Sequence, residues 1–188
     1  MVGYTHDSYQ RIKDHVDDFY SRGVDGVICM AYTYPGQYDA IEKLFTGFEH
    51  CVFLGSKPFS SGAAYIGLNH HKVCEIAADH LLGHSCKRIA LMMPTTLEKY
   101  ADNFKPFISG YVQAHNNAGV AVDERLYQCM NDIMVVDLPA ARRCLKSALS
   151  LKPDALIAPS DESAIWYMKA LHELGLSVPN DIAMVSLE

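Results

Sequence analysis

The chain has 188 residues, of which 49% are hydrophobic and 20% charged, as is typical of a soluble globular protein with a buried core. Its net charge of −6 argues against a surface for duplex DNA, since such surfaces cluster Lys and Arg against phosphate. No uncharged run approaches the roughly 18 residues of a membrane span, and residues 1–25 lack the pattern of a signal peptide.

The first part of the chain alternates apolar runs with helical patterns. Residues 1–7 predict the tail of a strand and a turn. Later breaks fall at Pro35-Gly36 and at the Gly-, Ser- and Pro-rich loop Gly55–Ala63. The predicted elements are a helix over Ser8–Arg22, a strand over Val24–Met30, a helix over about Gln37–Phe45, a strand over His50–Leu54 and a short strand over Ala64–Leu68. Two βα units in so few residues favour a parallel sheet.

The second part continues the same alternation. The predicted elements are a helix from an Asn69 cap to about Leu82, a strand over Lys87–Met93, a helix over about Tyr100–Ala118, a strand over Leu126–Met130 and a helix that Asp137 caps. The inner face of the first of these helices is predicted to consist of Val73, Ile76, Ala77, His80 and Leu81. The six cysteines lack paired spacing and are interpreted as reduced core thiols in a cytosolic protein. They are Cys29, Cys51, Cys74, Cys86, Cys129 and Cys144.

The last part predicts a strand, a helix and a second strand. The strands are Ala155–Ala158 and Ile182–Val185, and Asp161 is the candidate N-cap of the helix between them. The predicted buried face of this helix is Ala164, Ile165, Met168 and Leu171, and Gly175 and Pro179 end it. Two strands joined in this way are most simply parallel, with a right-handed crossover. Because ligands of such sheets bind at the carboxyl ends of strands, the Ser160-Asp161 turn is a predicted pocket edge.

Several motifs point to one family. A strand ends in Ser160-Asp161, an Ala-containing helix follows, and the turn Gly175-Leu176-Ser177-Val178-Pro179-Asn180-Asp181-Ile182 leads into the next strand. Val24-Asp25-Gly26-Val27-Ile28 forms another strand, and Gly110-Tyr111 and Gly119 mark a further helix. This combination resembles the effector-binding domain of the lactose-repressor and galactose-repressor (LacI/GalR) family of bacterial transcription regulators.

The resemblance implies a fold and a division of the chain. The expected fold is α/β and periplasmic-binding-protein-like, with two Rossmann-like lobes of parallel sheets flanked by helices. Residues 1–68 would form the N-terminal lobe and residues 69–188 the C-terminal lobe. The family's domain begins with a strand and helix that would precede residue 1 and continues past residue 188, which implies that both lobes are partial. A chain with such open strand edges is predicted to fold poorly alone or to self-associate.

The resemblance also implies a small effector, a sugar or purine-like molecule, bound between the lobes. The carried-over effector-binding positions are Asn103, Phe107, Asp132, Ser160, Asp161 and Glu188. Ser160 could equally be a turn residue, and Asp161 is more readily a structural cap. The family usually has an Arg where this chain has Phe107, so either the ligand is less polar, or Lys105 substitutes, or Phe107 belongs to the core. Gly55, where some members have an acidic ligand contact, is a second departure. A third is Ser85-Cys86, which aligns with the family's Gly-His.

Metal and enzyme chemistry are less favoured by the residues. His80 and His84 are four residues apart, and His71 and Cys74 are three apart, but no second ligand pair has zinc spacing. No metal or cofactor is therefore predicted. The sequence also lacks a Gly-x-Ser-x-Gly elbow, a Gly-rich phosphate loop and a His-Glu-x-x-His motif.

Three classes of function remain at this point. The first is the effector-sensing domain of a cytoplasmic, homodimeric regulator that binds DNA only through a helix-turn-helix headpiece outside this chain. The second is a periplasmic sugar-binding protein of an ABC transporter, which shares the two-lobed fold. The third is an α/β enzyme that uses Asp161 or His80. A helix-turn-helix pattern or a signal peptide upstream of residue 1 would separate the first two.

Overall fold

The computed structural model describes residues 2–4, 8–30, 38–55, 64–93, 101–129 and 137–187, with side chains left out of the description at 38, 39, 101–104 and 129. The chain divides into two compact units, Met1–Leu68 and Asn69–Glu188. In the described ranges, no helix is both long and apolar enough to cross a bilayer. The predicted turn at Pro35-Gly36 and most of the predicted loop Gly55–Ala63 fall outside these ranges.

The first unit is a parallel sheet with helices packed on it. Its elements are α1 (Tyr9–Ser21), β1 (Gly26–Met30), α2 (Tyr38–Leu44), β2 (His50–Leu54) and β3 (Ala64–Ile66). The strand order is β1-β2-β3, and both pairs are parallel, as predicted. The core consists of Ile12, Val16, Val27, Ile41, Phe45 and Phe53. Ser8 caps α1 by accepting a hydrogen bond from the Arg11 amide. Gly23 follows the C-cap residue Arg22 and ends the helix in the left-handed conformation, at φ +61°.

The other face of this first sheet exposes apolar side chains. Ile28 is 70% exposed, Met30 63% and Ile66 65%. They alternate along the strands with the core residues, because successive side chains point to opposite faces. The predicted strand tail near residue 1 is wrong for the described residues. Val2–Tyr4 form no strand, and the side chains of Val2 and Tyr4 lie largely exposed.

The second unit is a four-stranded parallel sheet with helices on both faces. Its elements are α3 (His70–Gly83), β4 (Ile89–Met93), α4 (Ala101–Ala118), a 3-10 turn (Glu124–Leu126), β5 (Tyr127–Cys129), α5 (Leu138–Ser150), β6 (Ala155–Ala158), α6 (Asp161–Glu173) and β7 (Ala183–Ser186). The strand order is β5-β4-β6-β7. Both central strands, β4 and β6, are buried along their whole length, as expected for strands covered on two sides.

Each face of the second sheet has its own core. On one face, α3 and α4 pack through Cys74, Ala78, Leu81, Tyr111 and Ala114. On the other face, α5 and α6 pack through Ala141, Leu145, Ala148, Tyr167 and Leu171. The side chains of β4 alternate between the two cores, with Leu91 in one and Met92 in the other.

The predicted buried faces of α3 and α6 are partly wrong. In α3, Cys74 and Ala78 are buried while Ile76 and His80 are exposed. The small residues face inward because α3 lies close against α4, where a side chain at Gly110 would overlap the carbonyl oxygen of His71. In α6, the buried positions include Ser163, Ala164, Tyr167, Ala170 and Leu171. The predicted members Ile165 and Met168 are instead 58% and 42% exposed.

Asp154 joins β4 to β6 at the amino edge of this sheet. Its carboxylate oxygens accept hydrogen bonds from the amides of Lys87 (2.8 Å) and Arg88 (2.9 Å). The Arg88 guanidinium in turn donates to the carbonyls of Leu151 (2.6 Å) and Lys152 (3.2 Å). These bonds satisfy backbone groups that the strand ends would otherwise leave unpaired.

Candidate functional site

The carboxyl ends of all four strands of the second sheet meet at one edge, since every pair is parallel. Helices α4 and α6 begin at this edge because each follows a strand. Helix α3 also begins there, since it runs back to the amino edge before β4. Ligands of parallel sheets bind at such edges, next to helix N-termini. We call it the carboxyl edge, and it is built from Met93, Cys129, Ala158, Ser186 and the first turns of these helices.

Ser160, and not the predicted Asp161, is the N-cap of α6. The Ser160 hydroxyl accepts from the Ser163 amide at 3.3 Å, and the Ser163 hydroxyl lies 3.2 Å from the Ser160 amide, which completes a capping box. The Ser163 hydroxyl also donates to the Ser160 carbonyl at 2.8 Å. The sequence pattern missed this box because its third helical position is usually Glu or Gln, not Ser.

Asp161 is therefore the first residue of α6, and its side chain is exposed. Its carboxylate makes no hydrogen bond or ion pair with the described residues. The prediction that this carboxylate caps the helix is therefore wrong. A carboxylate in this position is stabilised by the helix dipole and can still accept hydrogen bonds from a ligand. Glu162 follows it, also exposed, in the same first turn.

Phe107 lies in α4, partly buried against the core between α3, α4 and the sheet. Its ring lies 4.4 Å, centroid to centroid, from the ring of His70, the first residue of α3, at 31°. Next to them, His71 Nδ1 lies 2.8 Å from the Ser109 hydroxyl, which donates to the Pro106 carbonyl. The first turn of α3 and the second and third turns of α4 are thus joined by a ring contact and a polar contact. The sequence pattern did not single out His70.

The described side chains include three of the six predicted effector-binding residues, Phe107, Ser160 and Asp161. Asp132 and Glu188 lie outside the described residues, and Asn103 lies in α4 without a described side chain. The described part of the chain brings Ser160 and Asp161 together at the start of α6. It places Phe107 with His70 on the opposite face of the same sheet.

Buried ionisable groups of the second unit lie below the carboxyl edge, in the core. The Tyr111 hydroxyl donates to the Ile89 carbonyl at 2.8 Å, and burial raises the pKa of Tyr111. Burial also raises the pKa of Tyr127 to about 12 and that of Cys74 to about 12. Burial lowers the pKa of His115, whose Nδ1 lies 2.9 Å from the Tyr111 carbonyl. These groups are held in their neutral forms and serve packing.

The residue pairs considered for metal, His71 with Cys74 and His80 with His84, lie on α3, apart from His84, which is its C-cap. The rings of His80 and His84 lie 4.5 Å apart, and His84 Nδ1 bonds the His80 carbonyl at 2.8 Å. Among the described residues, no three His, Cys, Asp or Glu side chains come together as a metal site would require.

Two open grooves, of about 390 and 410 Å³, lie in the first unit around Phe48, Glu49 and His50. They are formed where β2 begins, at the amino ends of strands, and not where ligands of parallel sheets bind. The carboxyl edge of the second unit therefore has the stronger physical case as a ligand site.

Residues 78–188, more than half of the chain, match the model of the periplasmic binding protein-like domain. The chain belongs to that family. Its predicted resemblance to the LacI/GalR effector-binding domains is confirmed, together with the fold class, by relatives and solved structures. Catabolite control protein A of Staphylococcus xylosus is 25% identical over 93% of this chain and 50% of its own length.

Two solved structures of this LacI/GalR-type domain share the fold. The transcription regulator CcpA of Lactococcus lactis superposes with a TM-score of 0.76 at 17% identity, over 97% of this chain and 64% of that one. A LacI family transcriptional regulator from Lactobacillus casei with bound glucose gives a TM-score of 0.70 at 24% identity, over 98% of this chain and 67% of that one. The chain spans about half the length of the curated relatives it matches.

Proposed function

We propose that this chain is the sensing domain of a LacI-type transcription regulator and that it binds a small effector, a sugar or a purine-like molecule. The observation that carries the proposal is the family match, which includes the whole β6–α6 unit with its exposed Asp161. Similarity to a regulator solved with bound glucose supports the sugar class. The protein needs no bond chemistry for this role, since a ligand that prefers one of two conformations shifts their populations.

The proposal extends to the arrangement of the whole protein. The two units would be the two lobes of the family. DNA would be bound by a helix-turn-helix headpiece in a cytoplasmic homodimer, and effector binding would change DNA affinity through the dimer. Ile165 and Met168 on α6 would form part of the dimer surface, because both are large apolar side chains exposed to solvent and a partner subunit would bury them.

A transport role remains the alternative. A periplasmic binding protein would use the same fold to deliver a sugar to an ABC transporter. The half-buried thiols of the first unit favour the regulator, since free thiols are usual in the cytosol and disulfides in the periplasm. Neither Cys29 nor Cys51 is disulfide-bonded, and burial raises the pKa of Cys51 to about 11, which keeps it as a thiol.

Ligand-induced stabilisation tests the proposal. The thermal melt of the chain would be followed with D-glucose, D-galactose, adenine and hypoxanthine, each at increasing concentration. A ligand at a hundredfold excess over its Kd stabilises the folded state by about 2.7 kcal/mol, which a melt resolves easily. If the chain melts cooperatively and no member of either class raises its Tm, the proposed sensor of sugars or purines is wrong.

A pair of variants then locates the site. Asp161→Asn removes a charge-assisted acceptor, so affinity should fall about ten- to a hundredfold, corresponding to about 1.5–3 kcal/mol. Glu162→Gln is the matched control, because it removes the same charge from the same helical turn. Equal losses in the two variants would mean that the effect is the general charge of the helix start and not a contact of Asp161 with the effector.

A further inference from the structure

The end of α3 carries two histidines on one exposed face. His80 lies in the last turn of the helix, and His84 is its C-cap, four residues further on. Residues four apart on a helix are neighbours on its surface, and the two rings lie 4.5 Å apart, centroid to centroid, at 44°. Both side chains are exposed, and neither belongs to a core of the second unit. Core packing therefore does not account for the pair.

The ring of His84 is oriented with one nitrogen available. Its Nδ1 lies 2.8 Å from the His80 carbonyl oxygen, which can only accept, so Nδ1 carries the proton and donates. In the neutral ring, Nε2 then has a free lone pair that can bind a metal ion. Histidines that bind metals commonly donate their other ring N–H to a carbonyl or a carboxylate, which fixes the ring. This hydrogen bond therefore prepares His84 as a ligand.

The backbone that carries His84 is fixed as well. The Ser85 amide donates to the Leu82 carbonyl at 3.0 Å, and the Cys86 amide donates to the Leu81 carbonyl at 3.1 Å. These two bonds form a Schellman motif, in which Ser85 takes the left-handed conformation at φ +70°. The last turn of α3 cannot unwind without breaking both bonds. Because its backbone is already ordered, the pair loses little freedom when it binds an ion.

The ring separation matches one ion shared by two imidazoles. An ion about 2.1 Å from each ring nitrogen, in the plane of both rings, lies about 3.2 Å from each ring centroid. With an N–metal–N angle of about 90°, the centroids are then about 4.5 Å apart, which is the observed distance. A tetrahedral angle would require about 5.2 Å. Angles of about 90° belong to square-planar and octahedral ions, of which Cu²⁺ and Ni²⁺ bind imidazole well.

We infer that His80 and His84 form a surface chelate for a divalent transition-metal ion of the Cu²⁺ and Ni²⁺ class, bound by one ring nitrogen of each. The negative end of the α3 dipole lies at the same place and favours a cation. Three or more side chains hold a structural ion such as zinc, and the described residues bring no such set together. The ion therefore keeps water in its remaining positions and exchanges readily. The site lies where α3 leads into β4, at the amino edge of the second sheet, and does not depend on the proposed effector.

Calorimetric titration of the full, untagged chain with Ni²⁺ tests the inference, with a phosphine reductant to keep the thiols reduced. We expect one ion per chain. His80→Gln and His84→Gln each remove a ligand, and should weaken binding at least as much as the loss of a group that only orients a ligand, about 10–100-fold. His172→Gln, which removes an exposed histidine of α6, is the matched control and should leave the affinity unchanged. Melting curves show whether each variant is folded.

A double variant separates the chelate from a general affinity of histidines for metal ions. Ile76→His with His80→Gln keeps the number of histidines but places the two rings two turns apart, about 12 Å along α3. Ile76 is 57% exposed, so the substitution removes no buried side chain. This variant should bind Ni²⁺ as weakly as His80→Gln. Wild-type affinity in it would mean that the number of histidines, and not their spacing, decides binding, and the inference would be wrong.

Cys86 is the cysteine nearest to this pair in sequence. Its side chain is partly buried and packs against the core between α3, α4 and the sheet. Cys86→Ser should therefore leave Ni²⁺ affinity unchanged, and a loss of tenfold or more would assign the ion to a thiolate instead of two imidazoles. The inference is equally wrong if the wild-type chain binds neither Ni²⁺ nor Cu²⁺, or if both single histidine variants bind Ni²⁺ as tightly as wild type.

Discussion

Replacing Asp154 by Ala should destabilise the second unit, because it removes the carboxylate that ties the entry of β4 to the entry of β6. The side chain accepts from two amides of the β4 entry, at 2.8 and 2.9 Å. A hydrogen bond to a charged group contributes about 1.5–3 kcal/mol. Because Asp154 is half-buried and solvent can replace part of this, we take about 2–3 kcal/mol for the pair of bonds.

Chemical unfolding measures this loss. Trp166 is the only tryptophan of the chain and lies on α6, against the core of the second unit, so its fluorescence follows that unit. A loss of about 2–3 kcal/mol is a large share of the roughly 5–15 kcal/mol that stabilises a domain. In a thermal melt it corresponds to a fall in Tm of about 10 °C for a unit of this size.

Two further variants make the result decisive. Asp154→Asn keeps one acceptor oxygen, so its unfolding free energy should fall between those of wild type and Asp154→Ala. Asp161→Asn removes an exposed carboxylate that bonds no described residue, and should cost less than about 0.5 kcal/mol. If Asp154→Ala and Asp161→Asn unfold at the same urea concentration, the two amide bonds do not hold β4 to β6 as described.

Three more outcomes follow from the structure. Gly110→Ala should destabilise the second unit by about 2–4 kcal/mol in urea unfolding, since the added Cβ would overlap the His71 carbonyl. Gly83→Ala is its control: a Cβ there meets nothing within 4 Å, so the change should be neutral or stabilising by about 0.5–1 kcal/mol. Burial lowers the pKa of His115, so below pH about 6.5 the unfolded chain binds a proton that the folded chain resists, and stability should fall as pH drops from about 6.5. His115→Gln should flatten that slope in melts between pH 5 and pH 8, and an unchanged slope would assign it to other groups. Ile28→Thr with Met30→Thr should reduce self-association in sedimentation velocity, because both side chains lie on the exposed face of the first sheet, while Gln10→Thr, on exposed α1 surface, should not.

Element positions could be predicted from the sequence because each depends on a local signal. The sequence predicts the strands His50–Leu54 and Ala155–Ala158 with the bounds that the structure has. It also predicts helix starts at Ser8, Asn69 and Asp137, and these residues are the N-caps of α1, α3 and α5. Apolar runs between turn residues and short polar caps carry this information within a few residues.

Helix faces were harder to predict because they depend on which element lies opposite. Periodicity selected the bulky Ile76, but α3 turns Cys74 and Ala78 inward to approach α4 at Gly110. The strand order β5-β4-β6-β7 likewise depends on contacts between distant segments, and nothing in the local pattern specifies it. The sequence does not predict the contact of His70 with Phe107 for the same reason, since the two residues are 37 positions apart (107 − 70).

The start of α6 shows how a one-residue shift changes an interpretation of function. If Asp161 were the cap, its carboxylate would accept hydrogen bonds from backbone amides, and stabilising the helix start would be a sufficient reason for an Asp at this position. With Ser160 as the cap and Ser163 completing the box, the helix start is satisfied by hydroxyl groups alone. Asp161 is then not needed to close the helix, and its exposed carboxylate at the carboxyl edge is available to a ligand. The predicted loss of affinity in Asp161→Asn, with little loss of stability, depends on this division of roles between two neighbouring residues.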